Sequence, residues 1–494
     1  MSARVLPRRD PSSTRSESPP RRHMTHAIAP AASHPFARRD TSAAAAAATP
    51  LAEAGPDALL KALGVMLLVY VWRAQDFFPI LGKLQFPALA SLCALAFYVA
   101  SRHPWRRLLY VRSPTTWLAC GLVALMLAGV PTSLWPGHSL SFVLTDQLKN
   151  IVFMGLVVAS ARSVRDIEWY AKLNLYGALF YATVVNVFFS AGPDGRLGNL
   201  AYYDSNDFAL VITCTIPFAV YYLRPGSGAK RRALGLLSLG LFVFCIVRSG
   251  SRGGFIALVV VLLFVLLRYR AIPSRVRLLA AVAGVGLLTV IGSESYWTQI
   301  RTMLHPKTDY TWTDPEGRRQ VWERGIGYVK AHPVFGVGVA AYPIAEGTLS
   351  ELGRERQSRG RGFKWSVAHN SFLETAAELG IPGLLVFLAM LGVTMRALSR
   401  IRPGPRYGPW IGKRETALGQ MMLGALIAFS VGGFFVSAEY FSYLYFLLGL
   451  SIALDKVLRL RRDATMAALT AHLPPVRLAA APAAAGAAFG PRGS

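Results

Sequence analysis

AHNSFLETAAELGIPG, residues 368–383, joins a polar segment to a long apolar run and carries a histidine at the junction. The polar segment covers roughly residues 294–368 and lies between two longer hydrophobic stretches. The residues after His369 have the apolar spacing of a helix that presents one face to a core. The junction therefore predicts an imidazole at the mouth of a helical membrane domain, beneath a loop rich in arginine.

The composition predicts a protein that crosses a membrane several times. Of the 494 residues, 53% are hydrophobic and only 16% are charged, which lies outside the usual range for a soluble chain. The formal net charge is +27, but much of this excess falls in short connectors between apolar segments, as the positive-inside rule predicts. We therefore expect membrane lipid, and no nucleic acid, as a partner.

Apolar windows predict the number of membrane spans. A bilayer core of about 30 Å requires about 20 mostly apolar residues in each helix. Such windows lie near residues 57–79, 84–100, 115–131, 139–160, 167–190, 205–223, 232–249, 253–268, 276–293, 380–398, 414–436 and 439–458. We therefore expect an all-α polytopic membrane protein of about twelve transmembrane helices, with helices 1–9 in residues 57–293 and helices 10–12 in residues 380–460.

The distribution of arginine and lysine predicts the orientation. The alternate connectors rich in arginine lie at residues 102–112, 162–165, 224–232, 268–277 and 396–414. If these are cytoplasmic, both termini are cytoplasmic and residues 294–379 form one large periplasmic loop. Residues 1–56 and 461–494 are then cytoplasmic tails, and the first is expected to be disordered because it lacks an apolar face. Within the loop, residues 317–330 have helical periodicity and predict a short helix.

Five side chains on the expected outer side are candidates for chemistry. His369 precedes a helix start, where the helix dipole and nearby arginines favour a neutral imidazole that can act as a general base. Arg196, Arg252, Arg318 and Arg319 stand on the side of the membrane where the insertion bias disfavours arginine. A guanidinium binds phosphate through two parallel hydrogen bonds, so several converging arginines would hold a diphosphate.

Each candidate also has a plainer interpretation. A lone histidine commonly caps a helix, and an arginine can extend to lipid headgroups or pair with a nearby carboxylate. The glycines after Arg252 favour a functional role, whereas both interpretations stay open for Arg319. Glu374 and Glu378, spaced i, i+4, either orient His369 or form a polar helix face, and we favour the second.

No metal or cofactor is predicted. The expected outer connectors contain no Asp-x-Asp motif, and the residues 204–207 open a predicted helix, where acidic side chains are ordinary caps. The four cysteines are widely spaced within apolar segments, which favours neither a disulfide framework nor a zinc site.

The order of these residues resembles the O-antigen ligase superfamily over roughly residues 57–460. The blocks that carry the resemblance are Arg196 with Gly198 and Asn199; Ser251-Arg252-Gly253-Gly254; Gly317-Arg318 with Trp322; His332-Pro333 with Phe335-Gly336 and Gly338; His369-Asn370 with Leu373-Glu374; and Gly380-Ile381-Pro382-Gly383. The last two of these blocks, from His369 to Gly383, form the fairly specific part, whereas the arginine blocks alone would be weak. The superfamily includes O-antigen ligases, O-antigen polymerases and protein O-oligosaccharyltransferases.

The resemblance implies a metal-independent, inverting glycosyltransferase of GT-C type in the bacterial inner membrane, with a periplasmic active site. It implies that O-antigen polysaccharide passes from undecaprenyl diphosphate to a sugar hydroxyl of lipid A-core in lipopolysaccharide biosynthesis. By this resemblance His369 removes the proton of the acceptor hydroxyl. Arg196, Arg252 and Arg318, with Arg319 assisting, hold the diphosphate.

Two alternatives to a ligase follow from the same features. An O-antigen polymerase would use similar residues, but polymerases often have two sizeable outer loops and this sequence predicts one. A lipid-linked sugar transporter is the alternative without catalysis, and its arginines would line a translocation path. Such a transporter should carry an internal repeat or paired half-helices, and the sequence contains no convincing repeat.

Overall fold

The computed structural model describes residues 56–471, except 191, 193–195, 198–202, 305–309 and 361–365. The predicted N-terminal tail and most of the predicted C-terminal tail lie outside these residues. Within the described part of the chain, the regular structure is helical, apart from isolated bridge residues such as the pair Gly404 and Gly408.

The helices fall into three groups along the chain. The first group is α1 (Ala58–Tyr70), α2 (Ala74–Phe77), α3 (Pro79–Lys83), α4 (Phe86–Ala100), α5 (Pro114–Gly129), α6 (Pro136–Phe142), α7 (Leu148–Ser160), α8 (Val164–Phe188), α9 (Ser205–Tyr221), α10 (Ala229–Ser249), α11 (Arg252–Arg268) and α12 (Ser274–Ile291). The second group is α13 (Glu294–Arg301), α14 (Tyr310–Thr313), α15 (Arg318–Ala331), α16 (Tyr342–Thr348) and α17 (Glu351–Ser358). The third group is α18 (Ser371–Ser399), α19 (Lys413–Gly432) and α20 (Ser442–Ala471).

Six helical segments in the described residues are long and apolar enough to cross a membrane. They are Pro114–Thr132, Pro136–Ser160, Ala229–Ser249, Ser274–Ile291, Ser371–Ser399 and Lys413–Gly432. The chain is therefore a polytopic helical membrane protein, which confirms the fold class that the composition predicted. Each remaining predicted window also contains a helix, but a shorter or more polar one. The number of twelve spans stays a prediction.

The first predicted window, residues 57–79, is not one helix. α1 ends at Tyr70, and Arg73 then adopts a left-handed φ of 51° before the short helices α2 and α3. The Arg73 guanidinium pairs with Asp76 at 2.9 Å. The left-handed backbone of Arg73 and its i, i+3 ion pair therefore interrupt the apolar run. Hydropathy alone cannot distinguish this run from a continuous span.

The core of the bundle lies along α9, α19 and α20. α9 is buried at every position from Phe208 to Tyr221, as expected for a helix enclosed by other helices. At its start Asp204 accepts hydrogen bonds from the amides of Asn206 and Asp207, which confirms the predicted cap. By contrast, α12 buries only Leu288, so its apolar surface is available to lipid.

The segment between α12 and α18 has a small hydrophobic core of its own, formed by side chains that include Val321, Tyr328 and Tyr342. α15 confirms the helix predicted for residues 317–330. Its Arg324 guanidinium pairs with the fully buried Glu346 carboxylate at 2.6 Å. We call the end of the bundle that carries this segment the loop end.

α18 is broken at Gly380, whose backbone has φ 69° and ψ −174°. The carbonyl oxygens of Ala377 and Glu378 accept hydrogen bonds from the amides of Val337 and Gly338, at 2.8 and 3.1 Å. An unpaired backbone group is costly to bury. The carbonyl groups before the break at Gly380 therefore depend on the amides of residues 337–338, and these amides depend on the break.

Glycines make this joint possible. A Cβ at Gly380 would lie 2.4 Å from the carbonyl oxygen of Val334, and a Cβ at Gly336 would lie 2.4 Å from that of Ala377. Both glycines also have positive φ, a region that side chains disfavour. The two blocks around residues 332–338 and 380–383 are therefore the two halves of one contact.

Candidate functional site

Three predicted site residues lie at helix starts. Arg252 and Arg318 are the first residues of α11 and α15, and neither helix has an acidic residue in its first turn. His369 lies immediately before Asn370, the N-cap of α18, which confirms the predicted helix start. The N-terminus of a helix carries partial positive charge, so arginine at this position adds charge of the same sign. Such an arrangement favours a bound anion.

Trp322 links α15 to the His369 turn. Its indole nitrogen Nε1 donates a hydrogen bond of 2.9 Å to the carbonyl oxygen of Ala368. Trp322 follows Arg318 by four residues and so shares its face of α15, one turn of about 5.4 Å away. Arg318 therefore begins the same helical face that contacts the residue before His369.

The turn between α19 and α20, residues 433–441, connects three helix starts. Its Phe434 ring packs edge-on against Trp322 of α15, with 5.5 Å between ring centroids. Its Phe435 packs against the start of α11, where a Cβ at Gly253 would lie 2.6 Å from the Cβ of Phe435. Gly253 is the residue after Arg252.

The same turn binds the start of α18. The amide of Ser371 donates to the carbonyl oxygens of Gly433 and Val436 at 2.8 and 3.0 Å, and its hydroxyl donates to Val436 at 2.7 Å. The starts of α11, α15 and α18 consequently meet around residues 433–441. The fold thus brings the residues Arg252, Arg318 and His369 to one region of the loop end.

Arg196 contacts the end of α10 and the start of α9. Its guanidinium donates to the carbonyl oxygen of Ser249 at 3.3 Å and to Asn206 Oδ1 at 3.0 Å. Ser249 ends α10, three residues before Arg252, and Asn206 is in the first turn of α9. The charge of Arg318 also acts on Asp207, the next residue of α9. Arg196 therefore belongs to the same end of the bundle.

Arg319 is directed differently from Arg318. It follows one residue later on α15, about 100° around the helix axis. Its side chain is 54% exposed and pairs with Glu323 at 2.9 Å, in the i, i+4 geometry of an ordinary surface ion pair. Its guanidinium also lies 5.8 Å from the centre of the Trp312 ring. These contacts favour the plainer of the two interpretations for Arg319.

The backbone of His369 is strained. Its φ of 50° lies in the left-handed region, where a residue with a side chain costs about 1–2 kcal/mol. Asn370 fixes the following turn, because its Oδ1 accepts from the amides of Phe372 and Leu373 at 3.0 and 3.1 Å. Strain that the surroundings hold in place is commonly found at functional sites.

Glu374 holds the turn from the other side. The sequence interpretation as a polar helix face was wrong, because Glu374 is only 5% exposed. Its Oε2 accepts from the amide of Ala368 at 3.0 Å and from the hydroxyl of Ser437. Glu374 therefore fixes the residue before His369, and it binds the turn of residues 433–441 to α18.

Glu378 is fully buried one turn further along α18. Its carboxylate accepts from the amides of Ala340 and Tyr342, both at 2.9 Å, and from the hydroxyl of Tyr440 at 2.8 Å. A buried carboxylate is tolerated when several donors satisfy it. The sequence contains one signal of these contacts. Two carboxylates lie on the first turns of an otherwise apolar helix, where a buried carboxylate requires hydrogen-bond donors from elsewhere in the fold.

Comparison with known proteins gives one family match. The family model described as O-antigen ligase matches residues 237–388, from α10 to the middle of α18. The match supports an O-antigen ligase-type protein. It confirms the resemblance that the residue order predicted, and it includes Arg252, Arg318 and His369 but not Arg196.

The chain is also similar to a protein of Haemophilus influenzae. It is described only as an uncharacterized protein and is 22% identical over 205 residues. The match covers 40% of this chain and 49% of the relative. The chain therefore spans about half the length of that relative.

Proposed function

We propose that this protein is an O-antigen ligase. In this proposal it transfers O-antigen polysaccharide from undecaprenyl diphosphate to a sugar hydroxyl of lipid A-core, in lipopolysaccharide biosynthesis. The observation that carries the proposal is the meeting of the starts of α11, α15 and α18 around residues 433–441, with Arg252, Arg318 and His369 at those starts.

His369 is the proposed general base. Its imidazole takes the proton of the acceptor hydroxyl while the hydroxyl oxygen bonds to the anomeric carbon of the donor sugar. The bond from that carbon to the diphosphate oxygen breaks in the same step, and undecaprenyl diphosphate leaves with the bonding electrons. A single displacement of this kind inverts the configuration of the anomeric carbon.

Arg196, Arg252 and Arg318 are the proposed diphosphate contacts. Guanidinium groups stay charged and bind phosphate oxygens in pairs, so they stabilise the charge that develops on the leaving group. The starts of α11 and α15, which have no acidic residue in the first turn, add partial positive charge at the same end. These groups supply the charge stabilisation that a metal ion could otherwise give to a diphosphate leaving group, so we propose a metal-independent glycosyl transfer. Arg319 is at most a secondary contact.

The proposed location is the bacterial inner membrane, with the GT-C type of architecture. The loop end, with residues 294–379, faces the periplasm, and both termini are cytoplasmic. This orientation is supported by the arginine-rich connector at residues 396–414, which follows the other end of α18. The twelve spans divide as residues 57–293 and 380–460. A site at the membrane boundary suits two substrates that both carry lipid tails.

Reconstitution tests the proposal. The purified protein is given undecaprenyl diphosphate-linked O-antigen and lipid A-core in detergent, without ATP and with a metal chelator. The expected product is lipid A-core that carries O-antigen, formed by the wild type and not by His369→Ala. His332→Ala is the matched control, because His332 is exposed at the end of α15 and should keep wild-type activity.

Other products would identify the alternatives. Longer lipid-linked chains without capped lipid A-core would show an O-antigen polymerase. Transfer of intact donor across the bilayer of proteoliposomes, with no new glycosidic bond, would show a transporter. Either result would contradict the ligase proposal.

A further inference from the structure

A cavity of about 410 Å³ lies between α5, α18 and α20, at the end of the bundle opposite the loop end. Its lining comes from the start of α5, the last two turns of α18, the segment after α18 and the middle of α20. α18 runs roughly 30 Å from its break at Gly380 to Ser399, which separates the cavity from the proposed reaction site. Pockets for small ligands measure about 300–1,000 Å³, and this cavity lies within that range.

The charged groups of the lining are three arginines and one aspartate. Asp455 is already paired, because its carboxylate accepts from Arg406 at 3.0 Å and from Arg459 at 2.9 Å. The other two arginines of the lining are Arg396 and Arg400. Their side chains form no hydrogen bond or ion pair with any residue that the structure describes. The cavity therefore carries two positive charges that no described carboxylate offsets.

The hydroxyl groups of the lining already have partners within the protein. The hydroxyls of Thr115 and Thr394 bond to each other at 2.9 Å, and that of Ser113 bonds to Thr116 at 2.8 Å. The Ser451 hydroxyl donates to a backbone carbonyl of its own helix at 2.7 Å. The guanidinium groups are therefore the lining groups that can take up a ligand, and they select an anion.

The two arginines share a helix face with apolar lining residues. Val393, Arg396, Ala397 and Arg400 have the spacing i, i+3, i+4 and i+7, which places them on one side of α18. Arg396 and Arg400 are both exposed, so they stand at the mouth of the cavity. A ligand here would meet positive charge at the mouth and apolar surface further in.

The mouth of the cavity lies at the edge of the apolar surface of the bundle. Trp117 is 64% exposed and follows Pro114, an exposed lining residue, by about one turn of α5. On α18, the exposed side chains Leu385 and Leu388 precede Arg396 on the same side of the helix. Exposed tryptophan and arginine at the end of a membrane-spanning helix are typical of the headgroup region.

We infer that this cavity binds an anionic phospholipid, with its headgroup phosphate on Arg396 and Arg400 and the start of an acyl chain against the apolar wall. Guanidinium groups bind phosphate oxygens in pairs, and basic pockets between membrane helices bind anionic headgroups. The ammonium group of a zwitterionic headgroup would face like charges here. The inference concerns a site outside the proposed glycosyl transfer and does not depend on it.

Lipid titration of the delipidated protein in detergent, followed by native mass spectrometry, tests the inference. The probes are phosphatidylglycerol and phosphatidylcholine with identical acyl chains, and inorganic phosphate. We expect the wild type to bind phosphatidylglycerol most tightly. Arg396→Gln with Arg400→Gln should weaken that binding about thirtyfold, since each basic side chain beside an anionic lipid contributes about fivefold. The affinity for phosphatidylcholine should change little.

Two further variants separate this cavity from general surface charge. Arg231→Gln with Arg232→Gln removes the same charge from two exposed arginines at the start of α10 and should leave every affinity within twofold of the wild type. Ala397→Phe keeps all the arginines but fills the apolar wall, and it should also weaken phosphatidylglycerol binding. Melting temperatures without lipid show that the variants are folded.

Three results would overturn the inference. Unchanged phosphatidylglycerol binding in the Arg396 and Arg400 variant would place the lipid elsewhere, and equal losses in the two double variants would show a non-specific charge effect. Inorganic phosphate that binds as tightly as phosphatidylglycerol would make the occupant a soluble anion. The titration uses neither donor nor acceptor, so none of these results bears on the proposed ligase activity.

Discussion

The indole of Trp322 donates its hydrogen bond to the carbonyl oxygen of Ala368, at 2.9 Å. This contact joins α15, which begins with Arg318, to the turn that carries His369. It therefore links the helix of a proposed phosphate-binding group to the turn of the proposed proton acceptor.

Trp322→Phe should lower the turnover number about fivefold. The substitution keeps an aromatic ring against Phe434 but removes the N–H group, and one such hydrogen bond contributes about 1 kcal/mol. Steady-state kinetics of the capping reaction measures the effect. Trp312→Phe is the control, because Trp312 is 46% exposed. Equal activity of the two variants would mean that the hydrogen bond does not position His369.

Arg252→Lys should reduce activity about a hundredfold. Lysine keeps the charge but loses the planar pair of donors, and loss of one well-placed donor in a charge-stabilising site typically has this size. Arg319→Lys is the matched variant and should change activity less than twofold, because Arg319 is exposed and paired with Glu323. Wild-type turnover of Arg252→Lys would show that a point charge is sufficient there.

Gly336→Ala should destabilise the protein by about 2 kcal/mol or more, because a Cβ would meet the backbone of α18 at a positive φ. Thermal unfolding in detergent measures the change. Gly327→Ala in α15 is the contrasting variant, since no atom lies within 4 Å of the added Cβ. It should be neutral or slightly stabilising, because alanine favours helix. If both variants melted alike, the joint would not be a structural constraint.

Glu374→Gln should lower the turnover number with little change in the melting temperature. The amide oxygen can still accept from the Ala368 amide and the Ser437 hydroxyl, as Oε2 does, but an NH2 group replaces the other carboxylate oxygen and places a hydrogen-bond donor beside the His369 turn. The Michaelis constant for the donor should stay near the wild-type value, because Glu374 acts through the His369 turn. A raised Michaelis constant with normal turnover would instead assign Glu374 to substrate binding.

Local signals were sufficient to predict several elements from the sequence. The start of α18 after His369 and the extent of α15 follow from apolar spacing, and the start of α9 follows from the Asp204 cap. The composition also predicted a polytopic helical membrane protein. The positions of these helices depend on residues within about one or two turns of each other.

Other features depend on distant parts of the chain and could not be predicted. The donors that satisfy Glu378 come from residues 340–342 and from Tyr440, so only the fold decides that this carboxylate is buried. The contact between Gly336 and the break at Gly380 likewise joins two blocks whose partnership the sequence does not reveal. The ion pair of Arg73 interrupts an apolar window for a reason that hydropathy does not measure.

Donor binding and turnover of His369→Ala, measured side by side, test the central claim most directly. The account predicts that this variant binds undecaprenyl diphosphate-linked O-antigen as the wild type does but loses turnover by about 10²–10⁴, the usual contribution of a general base. Arg252→Ala should instead lose donor affinity. Normal turnover in His369→Ala, or loss of its donor binding, would contradict the account.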